Sequence, residues 1–135
     1  MFDEIPYTLV VPDYTYYAYV NEWTDGDTVD LQIIVKLDFG FHNYSAHLFK
    51  LKMRLNGLDT PEKGQINHDE ATTFSEAHAP AGTLLRAKVF KMPKGYANTE
   101  KYGRYLVELF ANGDSVNEAL LASGLAKKYD GGKKS

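Results

Sequence analysis

The sequence predicts a mainly β domain of the α+β class, a small five-stranded Greek-key barrel that carries two to three helices. Aromatic residues are plentiful, with 10 Tyr and 7 Phe, and such residues favour strands. In two segments of the first half, residues 28–37 and 47–55, apolar and polar residues alternate with the period of a strand. Gly, Asn and Asp separate these segments, as expected for turns between neighbouring strands.

The first 55 residues read as an irregular lead-in followed by a three-stranded meander. The lead-in covers residues 1–13 and contains two prolines. Strands are predicted at residues 14–23, 28–37 and 47–55, from their aromatic and β-branched content and from the apolar alternation. Turns are predicted at Asp25-Gly26-Asp27 and over residues 38–45.

Helices and strands alternate in the second half. Thr60-Pro61-Glu62 is typical of a helix or turn start. Apolar residues recur at helical spacing over residues 69–85, and Pro80 is expected to kink or split that helix. A strand is predicted at 87–92, a loop at 93–99 and a strand at 105–111. A helix is predicted at 115–123, with Ser115 as its N-terminal cap and Gly124 at its end. A flexible tail is expected from residue 129.

This order of elements, β-β-β-α-β-β-α, favours an OB-fold barrel. A length of 135 residues with 44% hydrophobic content suits one domain over residues 1–135. The absence of cysteine excludes disulfide frameworks, thiolate zinc sites and cysteine nucleophiles. No His-Glu-x-x-His pattern, phosphate-binding Gly-rich loop or nucleophile elbow occurs, which argues against those enzyme classes.

The chain shows no pattern that would direct it to a membrane. The N-terminal residues include Asp3 and Glu4, where a signal peptide would carry lysines. No run approaches the ~20 apolar residues of a membrane span. We therefore expect a cytoplasmic monomer without a membrane partner, while the mature form of a secreted protein stays open.

Charge is distributed unevenly along the chain, although the net charge is only -3. Residues 1–30 carry seven acids and no Lys or Arg, whereas residues 86–104 carry six basic residues and one acid. This asymmetry indicates a cationic face beside an acidic pocket. Two solvated surfaces of opposite sign would give the same pattern.

Two carboxylates are candidate metal ligands. Asp27 follows a turn glycine, and Asp59 follows the third predicted strand. If these strands are neighbours, both carboxylates can converge on one divalent ion, and Thr60 can add its backbone oxygen, because hard cations such as Ca²⁺ prefer oxygen ligands. The alternative is ordinary turn chemistry, since Asp-Gly is a hairpin signal and Asp-Thr-Pro-Glu a helix-start signal.

Two arginines and an acid are candidate catalytic residues. Arg54 and Arg104 could each contact phosphate oxygens in a bidentate manner, and Glu62 could orient or deprotonate a water. Lys101 and Tyr102 could position a substrate phosphate. The alternatives are two surface arginines and an acid favoured by a helix dipole.

At these residues the chain resembles the staphylococcal (thermo)nuclease family. The matching segments are Asp25-Gly26-Asp27-Thr28-Val29, Arg54 through Glu62, Lys101 through Arg104, Val116-Asn117-Glu118-Ala119-Leu120 and Gly124-Leu125-Ala126. Their order, their approximate spacing and the five-residue step from Arg54 to Asp59 match the family. Departures are a longer hairpin between the second and third strands, an acidic net charge, and Tyr129 out of register with a tyrosine of the prototype. The long hairpin and the tail from Tyr129 resemble the compact bacterial and phage-encoded members.

The resemblance implies an OB-fold and a Ca²⁺-dependent nuclease that cuts DNA and RNA with little sequence preference and leaves 3′-phosphate ends. Carried over by position, Asp27 and Asp59 would bind Ca²⁺ through carboxylates and Thr60 through its backbone oxygen. Glu62 would act on the attacking water as general base or positioning group. The transition state would be stabilised by Arg54 and Arg104, and a substrate phosphate would be contacted by Lys101 and Tyr102.

Two other classes remain as rivals to the enzyme. One is a catalytically silent OB-fold that binds nucleic acid or protein. The other is a structural domain whose acidic pocket binds a metal without turnover. Family members used as binding modules usually lack a metal or arginine position, and this chain has them all, which favours the enzyme.

Overall fold

The structure, a computed structural model, describes residues 14–90 and 105–129. Strands and helices alternate along the chain in much the predicted order. The elements are β1 (Thr15–Asp25), β2 (Thr28–Gly40), β3 (Asn43–Leu55), β4 (Leu58–Asp59), α1 (His68–His78), β5 (Leu84–Phe90), β6 (Tyr105–Ala111), β7 (Asp114–Ser115), α2 (Val116–Ser123) and β8 (Lys127–Lys128).

Five long strands form a sheet that partly closes into a ring. Its order is β3-β2-β1-β5-β6-β7, and β3 also pairs with β6, so the two ends of the five-stranded run meet. The β3–β6 pairing is parallel and joins Met53–Leu55 to Tyr105–Val107, whereas the other pairs are antiparallel. This confirms the mainly β prediction and is consistent with an OB-type barrel. The two-residue strands β4, β7 and β8 were not predicted.

The interior of the ring is filled by the apolar residues of the alternating pattern. Leu31, Met53, Leu55, Val107 and Leu109 are almost fully buried, because side chains of one parity point inward along each strand. Helix α2 adds Leu120 to the same core. These contacts fix the register of β3, since a shift of one residue would turn Met53 and Leu55 outward.

The hairpin between β2 and β3 is longer than predicted, and its turn is shorter. The strands stay paired up to Gly40 and Asn43, so the predicted turn over 38–45 reduces to Phe41 and His42. Both turn residues have positive φ, 56° and 65°. A two-residue hairpin turn of this kind matches the twist of its strands, which allows the ladder to continue into residues that look like a loop in the sequence.

Helix α1 is shorter than predicted and is neither kinked nor split. It ends at His78, and Ala79, which precedes Pro80, has already left helical geometry with φ -143° and ψ 75°. A proline disfavours helical geometry at the residue before it, so the helix stops. Gly82, with φ 90°, reverses the chain, and β5 begins at Leu84 within the predicted helix.

The remaining predictions fit the structure closely. Strand β6 and helix α2 have the expected bounds, and the Ser115 hydroxyl accepts a hydrogen bond from the Glu118 N–H as an N-terminal cap. The lead-in, the loop at 93–99 and residues 130–135 lie outside the described residues. Among the described helices, none has the length and apolar character needed to cross a membrane.

Candidate active site

Arg54, Asp27 and Asp59 meet at one end of the barrel. The Arg54 Nη2 donates to Asp59 Oδ1 at 2.7 Å and lies 3.7 Å from Asp27 Oδ2. All three side chains are at least 86% buried, so water screens the charges only weakly. Two carboxylates and one guanidinium leave a net negative charge in this pocket. The structure therefore brings together three of the residues that the sequence singled out.

Both carboxylate oxygens of Asp27 accept hydrogen bonds that hold the side chain in place. Its Oδ1 accepts from the Thr28 hydroxyl at 3.1 Å, and its Oδ2 accepts from the Thr60 backbone N–H at 3.2 Å. Its carbonyl accepts from the Leu55 N–H at 2.8 Å, which ties the turn after β1 to the end of β3. Asp27, a turn residue in sequence, is thus fixed against β3 and the residue after β4.

Asp59 is positioned by a short two-stranded sheet. Strand β4 pairs with β8, with Leu58 opposite Lys128 and Asp59 opposite Lys127. The next residue, Tyr129, donates its N–H to the Gly57 carbonyl at 2.9 Å, and its ring centroid lies 5.1 Å from the Arg54 guanidinium carbon. Tyr129, which the sequence analysis set aside as out of register and assigned to a flexible tail, therefore lies beside Arg54 at the site.

Thr60 and Glu62 differ in their surroundings. Thr60 is buried, and its hydroxyl oxygen has no hydrogen-bond partner. Glu62 is exposed at the start of a turn, where its N–H donates to Gln65 Oε1 at 2.7 Å and its carbonyl accepts from the Gln65 N–H. The predicted site residues Lys101, Tyr102 and Arg104 lie outside the described residues.

Helix α1 packs against the Asp25-Gly26-Asp27 turn and holds it in place. The hydroxyl of Ser75, which is fully buried, donates to the Gly26 carbonyl at 2.7 Å. The backbone of Gly26 packs so closely on Ala71 that a Cβ at Gly26 would lie 2.8 Å from the Ala71 Cβ. Any larger residue at position 26 would clash with Ala71, so this position requires glycine. No local pattern in the sequence marks Ser75 or Ala71, because the contact depends on how α1 lies across β1.

His68 makes the third attachment of α1 to this turn. Its Nε2 lies 2.7 Å from Asp25 Oδ1 and its Nδ1 lies 3.1 Å from Asp69 Oδ1. The hydrogen bond to Asp25, and then the one to Asp69, raise the pKa of His68 above its ordinary value of 6.5, since both carboxylates favour the imidazolium. The Asp69 side chain is 97% exposed, so solvent screens that second pair.

We expect the contribution of His68 to stability to decrease as pH rises. A raised folded-state pKa means that the folded protein binds the proton more tightly, so the stabilisation is fully present below pH 6.5 and is lost as pH rises through the folded pKa. The difference in free energy of unfolding between wild type and His68→Gln, measured by urea titration, should be larger at pH 5.5 than at pH 9. A difference that does not vary with pH would contradict this pairing.

The buried polar network around Asn117 supports the other side of the site. Its side-chain amide donates to the Asn56 and Val107 carbonyls at 3.1 and 3.0 Å and accepts from the Leu109 N–H at 3.1 Å. These bonds connect α2 to β6 and to the turn between β3 and β4. The spacing of Arg54 and Asp59 across that turn therefore depends on a residue distant in sequence.

The oxygen-rich pocket fits a hard cation in the chemistry of its donors. Asp27 and Asp59 reach the same guanidinium nitrogen, so their carboxylates converge, and Thr60, whose N–H binds Asp27, has a buried hydroxyl without a hydrogen-bond partner. Across residues 14–90 and 105–129, however, no group of three or more His, Asp or Glu is arranged to hold a metal. A cation here would accordingly complete its shell with backbone oxygens and water, as hard cations commonly do.

The structure thus defines an OB-type barrel with an acid–arginine pocket at the end of β3. Residues 52–135 match the family model described as "Staphylococcal nuclease homologue". This match covers more than half of the chain, and the chain belongs to the staphylococcal nuclease family.

A curated relative supports the same assignment. The chain is 29% identical over 115 residues to "Staphylococcal-like nuclease CAN1" of Arabidopsis thaliana. The match covers 81% of this chain and 32% of that protein, so the chain spans about a third of the length of the curated relative.

Proposed function

We propose that this protein is a Ca²⁺-dependent phosphodiesterase that hydrolyses DNA and RNA with little sequence preference and leaves 3′-phosphate ends. The observation that carries the proposal is the convergence of Asp27 and Asp59 on Arg54 in a mostly buried, net acidic pocket. Family membership supports a nuclease. The metal, the substrates and the products are our inference, and so is action as a monomer in the cytoplasm.

In this proposal the two aspartates hold the ion. The carboxylates of Asp27 and Asp59 and the backbone oxygen of Thr60 would bind Ca²⁺. A bound Ca²⁺ supplies Lewis-acid stabilisation of negative charge on the phosphoryl oxygens and a template that orients the substrate. The hydrogen bonds of Asp27 to Thr28 and Thr60 keep one carboxylate oriented before any ligand arrives.

The other site residues are proposed to contact the phosphates and to act on the attacking water. Arg54 presents a planar guanidinium whose N–H groups match two phosphate oxygens, and Arg104 is proposed as its counterpart. Glu62 would receive or orient the proton of the attacking water. The water oxygen would join the phosphorus while the bond from phosphorus to O5′ breaks. The O5′ would take a proton from solvent water and leave as a 5′-hydroxyl, and the phosphate would stay on the 3′ side. Lys101 and Tyr102 are proposed to hold an adjacent phosphate.

The proposal is tested by incubating the protein with plasmid DNA, single-stranded DNA and RNA. We expect degradation of all three with Ca²⁺ and none with a chelator, and we expect the fragments to be substrates for 3′-end labelling only after phosphatase treatment. Intact nucleic acid with every divalent metal would contradict the enzyme and favour the catalytically silent binding module.

The Asp27→Asn variant tests whether Asp27 binds the metal, independently of any measurement of cleavage. Asp27→Asn keeps the shape of the side chain and its hydrogen bond from Thr60 but removes a negative charge. Isothermal calorimetry should then show Ca²⁺ affinity reduced by at least about tenfold, with the fold intact by circular dichroism. Unchanged affinity would remove Asp27 from the set of ligands.

A further inference from the structure

The β2–β3 hairpin extends past the barrel and exposes one edge of β3. Within the described residues, β3 pairs with β6 only at Met53–Leu55, so its length from Asn43 to Lys52 is paired on the β2 side alone. Phe39, Phe41, Leu48 and Phe49 are exposed on this hairpin. The part of the hairpin beyond the barrel, called the arm below, therefore carries accessible apolar surface and points away from the candidate active site.

One face of β3 continues from the candidate active site onto the arm. Met53 and Leu55 point into the core, so Arg54 and its alternate neighbours Lys52, Lys50 and Leu48 point outward. Alternate residues of a strand lie about 6.7 Å apart, which places Lys50 about 13 Å from Arg54. Three cations thus form a regular row that ends at the pocket.

The two lysines of this row are accessible for a ligand. Both are exposed, and neither makes an ion pair within 4.0 Å with another residue of the described part of the chain. Two acids lie beside the lysines: Asp30 of β2 stands opposite Lys52, and Glu22 of β1 pairs with Asp30. The two lysines and these two acids line one shallow groove of about 380 Å³. An anionic polymer would be attracted by the two lysines and repelled by the two acids, which favours a path along the β3 side of this groove.

We propose that the outer face of β3, from Arg54 through Lys52 and Lys50 to Leu48, is a track that binds single-stranded nucleic acid and leads it into the pocket. This inference rests on the proposed function for the identity of the polymer. Evenly spaced cations neutralise successive phosphates, and Leu48 at the outer end offers an apolar contact for a base. Sites of OB-folds span ~4 to ~16 nucleotides, and a track of this length adds a few nucleotides to those held at the pocket.

A second copy of the chain, paired along the adjoining free edge of β3, is a less suitable occupant of this region. Antiparallel pairing of two β3 edges would bring the lysines of both copies together, and like charges opposite each other are destabilising. Lysines on an edge strand also discourage such pairing in general. The charge of this face therefore favours nucleic acid.

The test is a Lys50→Ala/Lys52→Ala double variant. Its affinity for a 12-nucleotide oligo(dT), measured by fluorescence anisotropy in chelator, should be weaker by on the order of tenfold at about 50 mM salt. The slope of log affinity against log salt should become shallower by about 1.4, because two phosphate contacts are lost at ~0.7 each.

The matched control is Arg86→Ala/Lys88→Ala. These residues have the same two-residue spacing on the outer face of β5 and remove the same charge. An equal loss of affinity in both double variants would show a general charge effect and overturn the track, and so would unchanged binding in the Lys50/Lys52 variant. A shift of that variant to dimers in light scattering would assign the lysines to edge protection instead.

Failure of the track and failure of the proposed function give different results. Binding is measured without metal, so a protein that never cleaves can still lose affinity through the two lysines. Conversely, if the protein cleaves nucleic acid but binds oligonucleotide equally well without Lys50 and Lys52, the proposed function stands and the proposed track is wrong.

Discussion

Replacing Arg54 with Ala should reduce the turnover of DNA by about 100- to 1,000-fold, the usual effect of removing a preorganised donor to a developing negative charge. Arg54 is the group on which both aspartates converge, at 2.7 Å and 3.7 Å. The change removes the cation that the phosphate would meet and leaves two mostly buried carboxylates without their shared partner. We expect the loss in kcat under saturating DNA with Ca²⁺.

Arg54→Lys is the control for charge alone. Lysine keeps the positive charge but lacks the planar fork that contacts two oxygens at once, so most of the loss should remain. Thermal unfolding of both variants, with and without Ca²⁺, separates damage to the fold from damage to the chemistry. Wild-type turnover in Arg54→Ala would contradict its assignment to the catalytic site.

Gly26→Ala should destabilise the fold and weaken Ca²⁺ binding together. The new Cβ would lie 2.8 Å from the Ala71 Cβ and 3.0 and 3.1 Å from the backbone carbon and oxygen of Ala71. Helix α1 or the turn must then move, and overpacking of this kind typically costs about 1–3 kcal/mol. Because Asp27 is the next residue, the shift should also displace a proposed ligand. Urea titration gives the first effect and calorimetry the second.

The double variant Gly26→Ala/Ala71→Gly provides the control. Removing the Ala71 Cβ relieves the shortest contact but leaves the two contacts to backbone, so recovery should be partial. A Gly26→Ala protein as stable as wild type would show that the helix is free to shift. The close packing of turn and helix would then carry no constraint on Asp27.

The strand pattern and the pocket could be predicted largely from local signals. Alternation places Met53 and Leu55 inside and Arg54 outside, and the turn glycine before Asp27 places that carboxylate at the end of β1. Since β2 connects these two places through short turns, their neighbourhood in space follows from hairpin topology. The residues that meet in the pocket were therefore within reach of sequence reasoning.

The supports of the pocket could not be predicted in the same way. Ser75 and His68 meet the Asp25–Asp27 turn only because of the angle at which α1 crosses β1, and Asn117 reaches Asn56 only because α2 packs on β6. Such contacts join segments far apart in sequence and leave no periodic trace. The length of the β2–β3 arm was misjudged for a related reason, because residues with loop character can continue a ladder when the turn geometry suits it.

The pairing of β4 with β8 has a consequence for the order of events on the ribosome. Asp27, Arg54 and Asp59 are synthesised early, whereas the strand opposite Asp59 and the ring over Arg54 belong to residues 127–129. Contacts between such distant segments form late, because the intervening chain must first be made and folded. A nascent chain that has not reached residue 127 thus contains Asp27, Arg54 and Asp59 but lacks the strand and the ring that pack beside Asp59 and Arg54. Protein synthesis itself would delay the completion of the site until Tyr129 has emerged.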